Sequence, residues 1–191
     1  MAKTALIIID MVKDFVHPAG KVFYPENRGI IQPIKRLLDT ARREGLLRIF
    51  IADSHRENKM DLELELELVR DHCREETGGD KVIKELNFDP KEEYLLKKRR
   101  YSAFFGTDLD LTLREHGIKN TILVGTKTNN CIRATVHDAY YLAYRVIVPR
   151  ECVATNDQNS HQVHLKEIDK YFGGGVKALD RLIQEIKAGE L

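Results

Sequence analysis

Residues 121–135, TILVGTKTNNCIRAT, decide how this chain is read. Ile122, Leu123 and Val124 form a short apolar, β-rich run that suits the buried central strand of a parallel sheet. Gly125 breaks the pattern. A polar turn from Thr126 to Asn130 then delivers Cys131 at the head of CIRATVHDAYYLAY, which reads as a helix. A cysteine at a strand-to-helix turn meets unpaired backbone N–H groups and the positive end of the helix dipole. Such a setting is expected to lower the thiol pKa and favour the attacking thiolate. Read alone, Cys131 fits a buried, inert thiol better.

The chain on either side repeats the strand-helix alternation. Residues 4–9 (TALIII) read as a buried first strand with Asp10 at its C-terminal end, followed by a loop through Pro18 and Gly20. Ile30, Ile34, Leu37, Leu38 and Ala41 lie at helical spacing over 29–44, and Gly45 stops that helix. Residues 46–52 (LLRIFIA) form a second strand, again with an acid, Asp53, at its end. A right-handed crossover puts Asp10 and Asp53 on the same edge of one parallel sheet. Residues 61–70 (DLELELELVR) alternate like an edge strand, yet Leu and Glu are both good helix formers, so strand and helix stay open. Residues 81–86 suggest a short helix. Residues 93–98 form a third strand that runs into the basic cluster Lys97 to Arg100, and Thr107 caps a helix that runs to His116 and stops at Gly117. Residues 145–149 (RVIVP) are a further strand. Residues 159–172 and 180–186 look helical, with a short last strand at 176–178. This is an open α/β fold with helices on both faces of a mostly parallel sheet. Ligands in such folds bind at the C-terminal strand ends, where Asp10, Asp53, Lys98 and Cys131 all fall.

Composition sets the bounds. A chain of 191 residues is expected to form one domain with a substantial core. Net charge is +1 with 32% charged residues, so bulk electrostatics points to neither nucleic acid nor membrane. The apolar run near the N-terminus is too short to span a bilayer and shows no signal-peptide cleavage pattern. Three cysteines, Cys73, Cys131 and Cys152, argue for a reducing compartment, and a cytoplasmic location is expected.

Asp10, Lys98 and Cys131 make chemical sense together. Asp10 can accept the thiol proton and return it to a leaving amine, and Lys98 can hold the thiolate by charge. Backbone N–H groups of the 126–131 turn can receive the oxygen of a tetrahedral intermediate. Singly, Asp10 also fits a turn cap and Lys98 a solvated basic cluster.

The segments ALIIIDMVKDF, VIKELNFDPKEEYLLKKRRYSAFFGTDLDLTLREHGI and ILVGTKTNNCIRATVHDAYYLAYRVIV carry a family likeness. With their K-x-R-Y-S-A-F and G-x-x-T-N-x-C-(I/V) patterns, the sequence resembles the isochorismatase-like cysteine hydrolases, which include nicotinamidases, N-carbamoylsarcosine amidases and isochorismatases. The resemblance implies a three-layer α/β/α sandwich and the triad Asp10, Lys98 and Cys131. It also implies a cis peptide at Thr126–Lys127 that turns oxyanion-binding N–H groups inward. One departure stands at the first strand, where Val12 occupies the position of a frequent Gln.

Asp53-Ser54-His55 and His72-Cys73 supply a carboxylate and two imidazoles, a set suited to Zn2+ or another divalent ion. Nicotinamidases of the family place metal ligands at a matching D-x-H and H-C, so the resemblance implies Asp53, His55 and His72 as ligands. No organic cofactor is expected. Phe15 matches a position that packs on the substrate ring in nicotinamidases, and Tyr101 and Phe104 can add further walls, though Phe104 and Phe105 also fit plain loop packing. A Trp usual before the H-C pair is missing, since the chain has none. Arg70, Arg99 or Arg133 can instead bind a substrate carboxylate.

These readings favour a small-molecule amidase working through a Cys131 thioester, with nicotinamide the favoured substrate. The alternatives are an N-carbamoyl-amino-acid or ureido amidase, a vinyl-ether hydrolase of the isochorismatase type, and a non-catalytic binding module. The resemblance further implies a homo-oligomer, a dimer or tetramer.

Overall fold

The computed structural model describes residues 3–173 and 175–191. At the middle of its sheet is β1 (Lys3–Ile9), a run of β-branched and aliphatic residues that no charge interrupts beyond Lys3. Parallel strands flank it: β2 (Leu47–Asp53) on one side and β4 (Ile118–Thr126) on the other. β3 (Tyr94–Lys98) pairs outside β2, β5 (Arg145–Pro149) outside β4, and β7 (Val176–Lys177) outside β5. β6 (Val153–Ala154) pairs with the end of β4, so the sheet has seven strands in the order β3-β2-β1-β4-β5-β7 with β6 off that path.

Side-chain alternation along the strands divides the interior into two layers. Leu6 and Ile8 join Phe50, Ala52, Ile122 and Val124 on one face, closed by α3 (Ile31–Arg43) and α8 (Leu179–Lys187). Ala5, Ile7 and Ile9 join Ile49, Ile51 and Leu123 on the other, closed by α5 (Leu109–Glu115), α6 (Arg133–Tyr141) and α7 (Gln158–Tyr171). The result is the expected three-layer arrangement. In α3 the helical spacing Ile34, Leu37, Leu38, Ala41 puts all four wholly out of water. Each aliphatic side chain the size of Leu or Ile so buried contributes about 1.5–3 kcal/mol.

Several local readings change. Lys13–Val16, read as loop, is a short helix (α1), and a second one-turn helix, α2 (Glu26–Gly29), precedes α3. The alternating 61–70 segment resolves as helix α4 (Glu63–Leu68), none of whose residues is buried. Strand periodicity there has no neighbouring strand to satisfy, and helix propensity prevails once Leu62, fully buried, anchors the segment. The short helix expected at 81–86 shrinks to a 3-10 turn, Lys84–Leu86. α5 begins one residue later than expected, with Asp108 rather than Thr107 at its N-cap. Thr107 Oγ1 is still engaged, accepting from Leu109 N at 3.3 Å and donating to Ala103 O at 2.6 Å. Val12 is fully buried, and its backbone bridges to Val82. Among the described residues no helix is long and apolar enough to cross a membrane.

Candidate active site

The end of β4 builds the nucleophile turn. Gly125 sits opposite Ile9 in register, and a Cβ there would stand 1.9 Å from the Ile9 carbonyl oxygen. Its φ of +118° is likewise open only to glycine. The next peptide bond, Thr126–Lys127, is cis. A π-helical turn, Thr128–Ile132, then leads into α6, with the amides of Asn130 and Ile132 both donating to the Lys127 carbonyl at 3.1 Å. Thr135 Oγ1 donates to Cys131 O at 2.7 Å and accepts from Ala103 N at 3.0 Å, which ties the turn to the 101–106 loop.

Asp10, Lys98 and Cys131 meet in the interior. Lys98 Nζ lies 2.9 Å from Asp10 Oδ2 and 3.6 Å from Cys131 Sγ. Asp10 and Lys98 are 0% and 1% exposed and Cys131 is 6% exposed, so these charges interact with little solvent screening. Asp10 leaves the strand at a left-handed φ of +55°, and its Oδ1 accepts from Asp53 N at 2.9 Å. The other oxygen, Oδ2, has the Lys98 charge beside it but no well-aligned hydrogen-bond donor, and so retains acceptor capacity.

Burial dominates the protonation pattern. It raises Asp10 to about 6, with Lys98 opposing and Asp53 adding to the rise. For Lys98, burial pulls downward, but Asp10, Asp53 and Cys131 outweigh it and hold the pKa well above the usual lysine value. The Cys131 thiol departs from the sequence expectation: burial pushes it well above the ordinary value, Asp10 and Asp53 add to this, and Lys98 only partly opposes it. A helix start alone favours the thiolate, whereas a dry site beside two carboxylates does not. Burial and the two carboxylates thus favour the thiol over the thiolate at Cys131.

Next to this centre stand Asp53, His55 and His72, whose donor atoms all lie within 4.8 Å of one another. Asp53 Oδ1 is 3.4 Å from His55 Nε2, and Asp53 Oδ2 is 3.2 Å from His72 Nε2. His72 Nδ1 donates to Arg70 O at 2.5 Å, and His55 Nδ1 faces Asp61 Oδ2 at 3.2 Å. Both partners are acceptors, so each imidazole can donate from Nδ1 while it turns Nε2 toward the Asp53 carboxylate. That is the outer-shell pattern of metal-binding histidines. His55 Nε2 is buried without a hydrogen-bond partner, which a cation would supply. The residues fit a divalent ion. Asp53 itself is lowered to about 2: burial raises it, but Lys98 and the two imidazoles prevail.

Phe15 is 9% exposed and meets the His72 ring edge-on at 5.8 Å between centroids. Tyr101 is half-buried, with its hydroxyl beside Asn130 and Glu65. Phe104 stacks on Tyr144 at 5.9 Å, which is the packing role, while Phe105 is exposed. Two of the three arginines considered for a substrate carboxylate are already paired. Arg133 makes two 2.8 Å bonds to Glu167, and Arg99 binds Asp61 at 3.0 Å and Glu75 at 3.2 Å. Arg70 is exposed and lends its carbonyl to His72.

Sequence reasoning missed Asp61 and Tyr24. Asp61 holds the His55 ring, and its one signal was an acid lying between the two candidate imidazoles. Tyr24, 7% exposed, pairs its hydroxyl with Thr126 Oγ1 beneath the cis bond, while Lys127 Nζ lies 5.3 Å from its ring centroid. A tyrosine in a loop carries no signal of that kind.

The isochorismatase domain model matches residues 4–178. A pyrazinamidase/nicotinamidase from Streptococcus mutans UA159 is 32% identical with a TM-score of 0.86, covering 92% of this chain and 100% of that one. N-carbamoylsarcosine amidase from Thermoplasma acidophilum is 33% identical with a TM-score of 0.81, covering 93% and 97%. A pyrazinamidase of Pyrococcus horikoshii, solved in complex with zinc, is 28% identical with a TM-score of 0.80, covering 92% and 98%. A domain match over nearly the whole chain, with a sheet and strand-end site of this form, leads to one conclusion: the chain belongs to the isochorismatase family and is a hydrolase.

Proposed function

We propose that the chain is a cysteine-dependent amidase of small molecules, with nicotinamide as the favoured substrate. The observation that carries this reading is the dry bridge of Lys98 between Asp10, at 2.9 Å, and Cys131, at 3.6 Å. Asp10, raised to about 6, is matched to taking a proton near neutral pH. As Cys131 Sγ attacks the amide carbon, its proton passes to Asp10 Oδ2, and the Lys98 ammonium offsets the charge that develops on sulfur. Backbone N–H groups of the 127–131 turn receive the carbonyl oxygen. Asp10 then returns the proton to the departing nitrogen, releasing ammonia and leaving a thioester. A water, deprotonated by Asp10, hydrolyses the thioester and restores the thiol.

Asp53, His55 and His72 would hold a divalent ion such as Zn2+. Bound there, such an ion supplies a Lewis-acid anchor for a donor atom of the substrate. Phe15, packed on His72, forms an aromatic wall beside that anchor. The combination of aromatic wall and cation suits a flat heteroaromatic amide.

A second reading, hydrolysis of an N-carbamoyl amino acid, finds support in Lys127. This half-buried cation follows the cis bond and has no carboxylate partner among the described residues. Its ammonium offers a partner for a substrate carboxylate, whereas Arg99 and Arg133 are already paired.

Ammonia release from nicotinamide and from N-carbamoyl amino acids, by wild type and Cys131→Ala, with and without chelator, tests both. Release from nicotinamide that needs Cys131 and disappears on chelation supports the first reading. Release from the carbamoyl substrate alone supports the second. Ammonia release that survives Cys131→Ala overturns the cysteine mechanism of both.

A further inference from the structure

Asp14 takes no part in the proton transfers above, yet it is 5% exposed and sits in α1, four residues past Asp10. Its carboxylate is engaged with backbone. Oδ2 accepts from Cys73 N at 2.8 Å, and Oδ1 faces Lys21 N at 3.4 Å. The backbone around it is clamped as well: Asp14 N donates to Gly79 O at 3.0 Å, and Val22 N donates to Asp14 O at 3.1 Å. Gly79 is packed so closely that a Cβ there would stand 2.2 Å from Asp14 Oδ2.

Cys73 is what this carboxylate holds, and Cys73 is the hinge between the two imidazoles. It directly follows His72, it adopts a left-handed φ of +48°, and its carbonyl accepts from His55 N at 2.8 Å. A left-handed cysteine is unfavourable by itself and persists where its surroundings over-determine it. A buried N–H at that position also needs an acceptor, and Asp14 provides it.

We propose that Asp14 is a positioning residue for the divalent-ion site. Holding the Cys73 amide fixes the peptide that spaces His72 from His55, so that both Nε2 atoms converge on Asp53. This inference rests on the metal reading given above and adds to it a residue that touches neither ion nor substrate. Outer-shell contacts of this kind typically alter metal affinity by about 10–100-fold.

The test measures Zn2+ affinity by competition with a chromophoric chelator for wild type, Asp14→Ala, Asp14→Asn and Gly79→Ala. Two further readouts run on metal-free protein: the imidazole NMR resonances of His55 and His72, and the rate of Cys131 alkylation by iodoacetamide. Asp14→Ala is expected to weaken Zn2+ binding by about 10–100-fold, with Cys131 alkylation within about twofold of wild type. Gly79→Ala should reproduce the loss by displacing the carboxylate, and Asp14→Asn, which keeps one acceptor oxygen, should show a smaller one. Folded Asp14→Ala that binds Zn2+ like wild type overturns the proposal, as does an equal loss in Zn2+ binding and Cys131 reactivity. If Asp14→Ala does not fold, Asp14→Asn and Gly79→Ala carry the same comparison. If wild type binds no Zn2+, the metal reading fails and with it the divalent-ion role of Asp14. The metal-free imidazole resonances then decide only whether Asp14 positions His55 and His72: displaced in the variants, they support that; unchanged, they overturn it.

Discussion

Asp53 and Lys98 are register partners at the ends of β2 and β3, with Nζ 3.8 Å from Asp53 Oδ1. That one pairing joins the two halves of the site. Lys98 faces the nucleophile, Asp53 faces the imidazoles, and the Asp53 amide also donates to Asp10. Each half of the site therefore feels the charge of the other.

Lys98→Met should destabilise the protein by about 3–5 kcal/mol, because it leaves Asp10 and Asp53 buried without their cation. Urea unfolding measures this. Cys131 alkylation should slow in the same variant, since the thiolate loses its counter-charge. A near-neutral effect on stability would mean that the carboxylates find another partner or protonate.

Asp10→Asn keeps the shape of the side chain and an oxygen for the Asp53 amide but removes the proton acceptor. Steady-state kinetics should show kcat lowered by about 10^2–10^4-fold, with KM little changed. An unaltered kcat would show that another group takes the thiol proton.

Gly125→Ala places a methyl group against the Ile9 carbonyl and forces a side chain onto a φ of +118°. Strands β1 and β4 must part at their catalytic ends. A loss of at least about 2–3 kcal/mol is expected from thermal or urea unfolding. Wild-type stability would contradict the tight register seen between Ile9 and Gly125.

Glu167 ties α7 to α6 through two bonds to Arg133, and within α7 it also meets His164 Nδ1, each at 2.8 Å. The Arg133 bonds, helped by His164 and opposed by burial, lower its pKa from 4.5 to about 2. A folded-state pKa below the unfolded value means the contribution is full above pH 4.5 and is lost as the pH falls through about 2. Glu167→Gln should therefore melt below wild type at pH 7, and the gap should close between pH 4.5 and 2. A gap that widens on acidification would reverse the sign of this linkage.

Much of the architecture was open to reading in one dimension. The apolar runs at 4–9, 46–52 and 121–124, with Gly45 and Gly117 closing the helices between strands, located the strands along the chain and the edge on which Asp10, Asp53, Lys98 and Cys131 fall. Local periodicity carries that information because burial of one face is decided residue by residue. The 61–70 segment resisted for the same reason: its alternation satisfied a strand template, and only the absence of a neighbouring strand, among the described residues, left helix propensity to decide.

The state of the site was decided in three dimensions. Alternation alone sends the Asp10 side chain into the layer of Ile8, while Lys98 shares the layer of Leu96. The left-handed turn at Asp10 brings the two together at 2.9 Å. The position of Cys131 could be read from sequence, but its protonation could not. A thiol's pKa depends on the water removed around it and on charges from β1, β2 and β3, which meet only when the sheet forms. Asp61 and Asp14 belong to the same class, since each orients an imidazole through a contact that exists in the folded chain alone. The order of residues along the chain sets which chemical groups reach the strand ends; folding sets how they are charged and where they point, because electrostatics and hydrogen bonding depend on distance in space rather than along the chain.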